Sequence, residues 1–127
     1  MSIPPIISIV DDDESVRVAI SSLVRSLGLR ALTFASAEAF LASSMLQETA
    51  CVISDIQMPG MSGLDLQKVL LDRDAGIPVI FITAFPEDAV RRRAKAAGAV
   101  GFLGKPFDGQ AIIEHLDVAL QQSALAH

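Results

Sequence analysis

Five short apolar runs, rich in β-branched residues and each followed by a stretch with helical periodicity, constrain the fold of this chain most strongly. The runs cover residues 6–10, 31–34, 51–53, 79–83 and 100–103. This alternation predicts an α/β domain with one parallel sheet covered by helices on both faces, because parallel strands need long crossover connections, which are usually helices. The crossovers are expected to be right-handed.

Local signals predict where several of the helices begin and end. Gly28 and Gly98 stand at the expected ends of the first helix and of the fourth, which is predicted over residues 87–97. Ser36 and Asp108 precede the second and fifth helices, where their side chains can accept hydrogen bonds from free backbone N–H groups. The segment 59–63 is typical of a loop before the third helix.

Length and composition indicate one domain. The chain has 127 residues, of which 51% are hydrophobic, so we expect a single domain over residues 1–127 with a core of about 5–122 and no output domain in this chain. Its apolar stretches fall well short of the roughly 20 residues that a membrane helix needs, and no signal peptide is evident. A cytoplasmic protein without membrane contact is expected. Cys51 lies in an apolar run and is expected to be a buried, inert thiol.

The charge distribution argues against direct nucleic-acid contact by this segment. The formal net charge is −5, and no tail rich in Lys or Arg is present. One local basic run contains Arg91, Arg92, Arg93 and Lys95. Two interpretations of this run stay open, a solvated helix face and a surface that binds a partner protein.

Three groups of polar residues follow apolar runs at positions that a parallel sheet would bring to one edge. They are the acidic segment 11–14, Asp55, and Lys105 with Pro106. In open α/β sheets the functional crevice lies at the carboxyl ends of the strands. Clustered carboxylates raise one another's pKa and are costly to desolvate unless a cation compensates them. The pattern therefore indicates a Mg²⁺ site beside an aspartate that can be phosphorylated.

Four segments match, in order and spacing, the motifs of one known family. They are IVDDDESVR at 9–17, DIQMPGMSG at 55–63, ITA at 82–84 and KPF at 105–107. On these motifs the chain resembles the response-regulator receiver domains of two-component signalling over nearly its whole length. The resemblance implies a flavodoxin-like, doubly wound (βα)5 fold with five parallel strands in the order 2-1-3-4-5. The segments 34–41 and 59–64 are similar to the FixJ-like branch, whose members usually carry a C-terminal DNA-binding domain.

The resemblance also implies roles for the residues at the predicted edge. Asp55 would accept the phosphoryl group, since a carboxylate can form an acyl phosphate. Mg²⁺, the implied cofactor, would be bound by the carboxylates of Asp12 and Asp55, by the backbone carbonyl of Gln57, and by Asp11 largely through water. Asp13 and Glu14, next in the acidic segment, are interpreted as favouring the N-terminus of the first helix.

Further positions of the motifs imply a switch. Lys105 would extend its ammonium group toward the phosphoryl oxygens, and the Thr83 hydroxyl would bond one of them. Phe102 occupies the position of the family's switch aromatic. Ala84 would leave room for the phosphoryl group and its donor, and Pro106 could hold a cis peptide bond that aims Lys105. His115 is expected on the exposed side of the last helix, and neither it nor His127 is assigned a role.

The function expected from the resemblance is a phosphoacceptor that takes a phosphoryl group from a sensor histidine kinase. It would then switch a dimerisation or partner-binding face formed by the fourth helix, fifth strand and fifth helix, and so control a transcription-regulating output domain. Alternatives are a stand-alone receiver that acts by protein–protein interaction and an interaction domain independent of phosphorylation. An enzyme is not expected, because Gln57 occupies the position where aspartyl-phosphate hydrolases generally carry a second Asp. Flavin binding is disfavoured, because the first strand-to-helix loop is acidic.

Overall fold

The five predicted strands form one parallel sheet. The computed structural model describes residues 3–125, and the side chains of residues 3–122. The strands are β1 (Ile6–Val10), β2 (Arg30–Phe34), β3 (Thr49–Asp55), β4 (Val79–Thr83) and β5 (Gly101–Gly104). The helices are α1 (Glu14–Ser26), α2 (Ala37–Leu41), α3 (Gly63–Asp72), α4 (Asp88–Ala96) and α5 (Gly109–Leu125), and a 3₁₀ turn covers Leu46–Glu48.

The strand order is β2-β1-β3-β4-β5, which confirms the predicted α/β fold. Val10 of β1 pairs with Phe34 of β2 and with Ser54 of β3. On the other half of the sheet, Thr83 of β4 pairs with Gly104 of β5. The strands therefore end at one common edge, and the residues that follow β1, β3, β4 and β5 lie close together there.

Alternate side chains of each strand enter two separate hydrophobic cores, one on each face of the sheet, because successive strand residues point to opposite faces. The first core joins the sheet to α1 and α5, and its sheet members are Ile7, Ile9, Cys51, Ile53, Ile80 and Ile82. The second joins the sheet to α2, α3 and α4, and its sheet members are Val10, Val52, Val79, Phe81 and Phe102. With both faces covered, the strands are apolar almost throughout.

Helix ends form where the sequence predicts them. Gly28 and Gly98 follow α1 and α4 with φ angles of +82° and +96°, in the left-handed region that glycine adopts readily. The Ser36 hydroxyl oxygen accepts the Ala39 N–H at 3.1 Å, and Asp108 Oδ1 accepts the Gln110 N–H at 3.0 Å. Both capping predictions are confirmed.

Two further expectations concern single residues of the fold. Cys51 is fully buried, as predicted, and burial raises the pKa of its thiol. The expected exposure of His115 is wrong, because the residue is partly buried and its ring packs over Gly101 of β5. The expectation for His127 falls outside the described residues.

Among the helices of the described part, none is long and apolar enough to cross a membrane.

Candidate functional site

Asp11 directly follows β1 and is held on several sides. Its backbone N–H donates to the Phe34 carbonyl at 3.1 Å, which extends the strand pairing by one residue. Its Oδ1 accepts the Asp13 N–H at 2.9 Å. Arg17 of α1 reaches back and donates from a guanidinium nitrogen to the Asp11 carbonyl oxygen at 2.7 Å. With 1% of its surface exposed, Asp11 is a buried carboxylate with a fixed orientation.

Asp55 is the last residue of β3, and its carboxylate is oriented by its own backbone. Oδ1 accepts the Ile56 N–H at 2.7 Å and the Gln57 N–H at 3.3 Å. Oδ2 faces the ammonium group of Lys105. Because the turn after the strand fixes Oδ1 and Lys105 holds Oδ2, Asp55 presents a carboxylate in a defined direction at the edge of the sheet.

Three carboxylates converge at this edge, as the sequence predicts. One oxygen each from Asp11, Asp12 and Asp55 lies within 4.8 Å of the others. Asp11 and Asp55 are buried and Asp12 is exposed, so the group opens to solvent on the Asp12 side. An all-oxygen set of this kind suits a hard divalent cation.

Lys105 follows β5 and supplies positive charge to this group. Its Nζ lies 3.0 Å from Asp11 Oδ2 and 3.1 Å from Asp55 Oδ2. The backbone N–H of Lys105 donates to the Thr83 carbonyl at 2.8 Å, and the peptide bond between Lys105 and Pro106 is cis. One ammonium group therefore bridges the two buried carboxylates.

Burial and ion pairing act in opposite directions on these groups. At Asp11 burial is the larger influence and raises the pKa, although hydrogen bonds from the Asp13 N–H and from Lys105 lower it. At Lys105 burial lowers the pKa, but the combined hydrogen bonds and charges of Asp11 and Asp55 outweigh burial and raise it. Lys105 therefore stays cationic, whereas Asp11 is ionised less readily than an ordinary aspartate.

Thr83 ends β4 beside the carboxylates and is buried. Its hydroxyl oxygen accepts the Phe85 N–H at 3.1 Å, which leaves the hydroxyl proton available to donate. Ala84 and Pro106 are exposed next to the site, and Gln57 is exposed directly after Ile56. The structure thus brings the predicted residues of all four motifs to one edge.

Phe102 is the second residue of β5, three residues before Lys105, and its side chain lies in the second core. Its side chain is 6% exposed. The guanidinium carbon of Arg91 in α4 lies 5.2 Å from the ring centroid, a cation–π arrangement. Arg91 Nε is buried without a hydrogen-bond partner among the described residues. The sequence analysis placed Arg91 in a basic run but did not pair it with this ring.

Asp13 and Glu14 have the helix role that the sequence predicts. Asp13 is the N-cap of α1, and its Oδ1 accepts the Ser15 N–H at 2.9 Å and the Ser15 hydroxyl at 2.7 Å. These two bonds lower the pKa of the exposed Asp13 carboxyl. Glu14 is the first residue of the helix. Only the first two acids of the segment therefore turn toward Asp55.

Comparison with known proteins identifies the family. The model for the "response regulator receiver domain" matches residues 7–117. The chain belongs to the response regulator receiver family. Receiver domains are phosphoacceptor signalling modules of two-component systems, not enzymes that act on external substrates, and the acidic group described above is the kind in which they bind a metal ion.

Individual similar proteins place this receiver near FixJ. It is 43% identical over 116 residues to response regulator protein TmoT of Ectopseudomonas mendocina, covering 91% of this chain and 53% of that protein. It is 38% identical over 118 residues to transcriptional regulatory protein FixJ of Azorhizobium caulinodans, covering 93% and 56%. The solved structure of response regulator StyR matches with a TM-score of 0.88 and 41% identity, covering 98% of this chain and 63% of that one. The chain spans about half the length of these curated relatives.

Proposed function

We propose that Asp55 of this receiver accepts a phosphoryl group from a sensor histidine kinase, with Mg²⁺ bound at the neighbouring carboxylates. The observation that supports this most strongly is the convergence of Asp11, Asp12 and Asp55 within 4.8 Å, together with the Lys105 ammonium group that bridges two of them.

The proposal covers one receiver domain over residues 1–127 with a core of about 5–122. It places the domain in the cytoplasm, where a lone cysteine such as Cys51 stays reduced.

The donor set fits Mg²⁺. Carboxylates of Asp11, Asp12 and Asp55 would hold the ion together with the backbone carbonyl of Gln57, with Asp11 acting largely through water. Lys105 already places a positive charge against two of these carboxylates, which supports the proposal that the site attracts cations. When bound, Mg²⁺ supplies charge that offsets the repulsion between the carboxylates and the phosphoryl oxygens.

Asp55 would react as a nucleophile. A carboxylate oxygen forms a bond to phosphorus while the bond from phosphorus to the imidazole nitrogen of the kinase's phosphohistidine breaks, and the nitrogen keeps the electron pair. The backbone N–H groups that hold Oδ1 fix the direction of the carboxylate before the reaction. Fixed orientation matters because phosphoryl transfer depends mainly on positioning and on neutralising charge.

Lys105 and Thr83 would bind the new phosphoryl group. Lys105 can turn from Asp55 Oδ2 to a phosphoryl oxygen and keep an anionic partner. Thr83 can donate its hydroxyl proton to another oxygen, with Ala84 beside it leaving room for the group and its donor. Pro106 supports this arrangement by fixing the backbone next to Lys105.

Phe102 would couple the site to a protein-binding face. A shift of Thr83 toward the phosphoryl group would change the packing of β4 against β5, where Phe81 and Phe102 pair. The face that changes is formed by α4, β5 and α5, and we assign to it homodimerisation or binding of a partner protein. Because FixJ is named a transcriptional regulatory protein, we assign control of a transcription-regulating output domain to this receiver.

Intact-mass measurement with a small acyl-phosphate donor tests the phosphoacceptor. Wild-type protein should gain one phosphoryl group only when Mg²⁺ is present, and Asp55→Asn should gain none, because the amide cannot form the acyl phosphate. Asp13→Asn is the matched control, since Asp13 caps α1 and asparagine caps equally well; it should be phosphorylated like the wild type. An adduct of equal amount in Asp55→Asn would refute the assignment.

A further inference from the structure

A hydrogen bond joins the two segments that resemble the FixJ-like branch, 34–41 and 59–64. Glu38 of α2 lies against the loop between β3 and α3, and its Oε2 accepts the Met61 N–H at 3.3 Å. Gly60 lies under the same carboxylate, since a Cβ added there would be 2.5 Å from Glu38 Oε2. Gly60 also has a φ of +78°. The backbone conformation favours glycine at this position, and a Cβ there would displace the Glu38 carboxylate.

This loop is fixed at its ends but has few bonds in its middle. At the C-terminal end of the loop, the Gly63 N–H donates to the carbonyl of Ile56, at the start of the loop, with a distance of 2.8 Å. Met58 and Met61 pack against the second core, but apolar contact has no preferred direction. Within the described residues, the Glu38 bond is the only hydrogen bond made by residues 58–61.

We infer that Glu38 is a positioning residue for the metal site, which it supports through the 57–61 loop. The inference rests on the proposed function, in which the Gln57 carbonyl is a metal ligand. The direction of a backbone carbonyl follows the loop that contains it. Mg²⁺ requires nearly ideal octahedral geometry, so a loop that is free to rotate would bind it less tightly. Outer-sphere partners that orient ligands have this effect in other metal sites.

A simpler role for Glu38 predicts a different result. As a carboxylate in the first turn of α2, Glu38 can stabilise that helix through its N-terminal dipole. Loss of this effect would lower the melting temperature without changing metal affinity. Metal affinity and stability must therefore be measured separately.

The first test compares Glu38→Ala, Glu38→Gln and Glu48→Ala with the wild type. Glu48 is exposed just before β3, at the opposite edge of the sheet, so its removal controls for the loss of one negative charge. The Mg²⁺ dissociation constant is measured by calorimetry, because the chain has no Trp or Tyr to serve as a fluorescent reporter. We expect Glu38→Ala to weaken binding about tenfold. Glu38→Gln, which keeps an acceptor for the Met61 N–H, should stay within about threefold of the wild type.

Phosphorylation rates add a second measure. In Glu38→Ala, the Mg²⁺ concentration that gives half the maximal rate should rise by the same factor, whereas the rate at saturating Mg²⁺ should match the wild type. Equal Mg²⁺ affinities for Glu38→Ala and Glu48→Ala would overturn the inference. Failure of the wild type to bind Mg²⁺ would instead overturn the proposed function, so the two failures are distinguishable.

A third measurement needs no metal. Hydrogen exchange of the Met61 amide in metal-free protein should be faster in Glu38→Ala than in Glu38→Gln, because only the alanine variant lacks an acceptor. Gly60→Ala should lower the free energy of unfolding less in the Glu38→Ala background than in the wild type. In the wild type, alanine at this position meets the Glu38 carboxylate and also has an unfavourable φ, whereas in the Glu38→Ala background only the φ penalty remains. An unchanged Met61 exchange rate would show that Glu38 does not hold the loop.

Discussion

Lys105 serves as a counter-charge for two buried carboxylates of the site. Its ammonium group lies about equally far from Asp11 and Asp55, at 3.0 and 3.1 Å. A metal ion bound at these two carboxylates would therefore compete with the ammonium group for them. The charges of the two carboxylates are partly neutralised from within the chain.

Replacing Asp11 should stabilise the metal-free protein. Burial raises the pKa of Asp11 in the folded state. The ionised carboxylate therefore destabilises the folded protein, and the stability contributed by this group falls as pH rises through that pKa. Asp11→Asn removes this cost. At pH 7 with a chelator, its melting temperature should exceed that of the wild type.

The pH dependence and a neighbouring substitution provide the controls. The difference between Asp11→Asn and the wild type should shrink as pH falls toward the ordinary aspartate range, where both side chains are neutral. Asp12→Asn, at an exposed carboxylate, should change the melting temperature little. A wild type more stable than Asp11→Asn at pH 7 without metal would contradict the account.

Sequence motifs could predict the residues that meet at the site but not the side chains that hold them. Asp11 and Lys105 directly follow strands and Asp55 ends one, so the topology alone brings them together. Arg17 and Glu38 reach their targets through long side chains whose direction no local pattern specifies. The Arg91 contact with Phe102 depends in the same way on how α4 packs against β5.

Among the elements, the start of α3 packs directly against the backbone of Asp55. A Cβ on Gly63 would collide with the carbonyl oxygen of Asp55 and would lie 3.0 Å from the Ile56 Cα. These neighbours are backbone atoms of β3 and its turn, which cannot move aside independently. Gly63→Ala should therefore cost about 2 kcal/mol or more in the free energy of unfolding and weaken Mg²⁺ binding, as measured by chemical denaturation and calorimetry.

Gly109→Ala is the matched control for this substitution. Gly109 is also the first residue of a helix, and a Cβ there would lie 3.8 Å from Leu23, an ordinary contact. This variant should be as stable as the wild type or slightly more so, because alanine has fewer unfolded conformations to lose. Equal stabilities for the two variants would show that the space around Gly63 is not limiting.

The ends of β3 and the start of α3 show features that local sequence patterns do not predict in full. β3 was predicted over residues 51–53 but covers Thr49–Asp55. Its polar ends join the sheet because residues of the neighbouring strands pair with them, as Ile82 pairs with Asp55, and such pairing overrides local preference.

The capping box of Ser62 and Asp65 at the start of α3 was not predicted. Its S-x-x-D spacing was visible in the sequence and could have indicated it.

At the scale of the whole molecule, the face formed by α4, β5 and α5 is the proposed dimer surface. On α4, Arg91 covers Phe102 of β5. On α5, His115 covers Gly101 of the same strand. Val118 follows His115 by three residues and therefore shares its side of the helix, and its side chain is 46% exposed. The face combines apolar and cationic side chains, as protein-binding surfaces often do.

Val118→Asp should weaken dimerisation of the phosphorylated protein at least tenfold, because it buries a charge in the interface. Val18→Asp is the matched control, since Val18 of α1 is 57% exposed on another part of the surface. Sedimentation with Mg²⁺ and an acyl-phosphate donor measures both. Similar dimer dissociation constants for the two variants would rule out this face.

The layers of the fold and the order of its strands could be predicted from the sequence, but on different grounds. Alternation of strands and helices predicts the layers from physical principles alone. The lateral order of the strands came from the family resemblance, because periodicity reveals which segments are strands but not which of them are neighbours. The confirmed order then explains why residues from distant parts of the chain share one edge.

The burial of Cys51 gives this protein an internal probe of its own unfolding. The thiol is the only one in the chain, lies at the centre of the first core and is hard to ionise there. Thiol reagents react with the thiolate, so they can reach Cys51 only in molecules that have opened. The rate of its alkylation therefore reports how often the core opens, in any ligand state and without an added label.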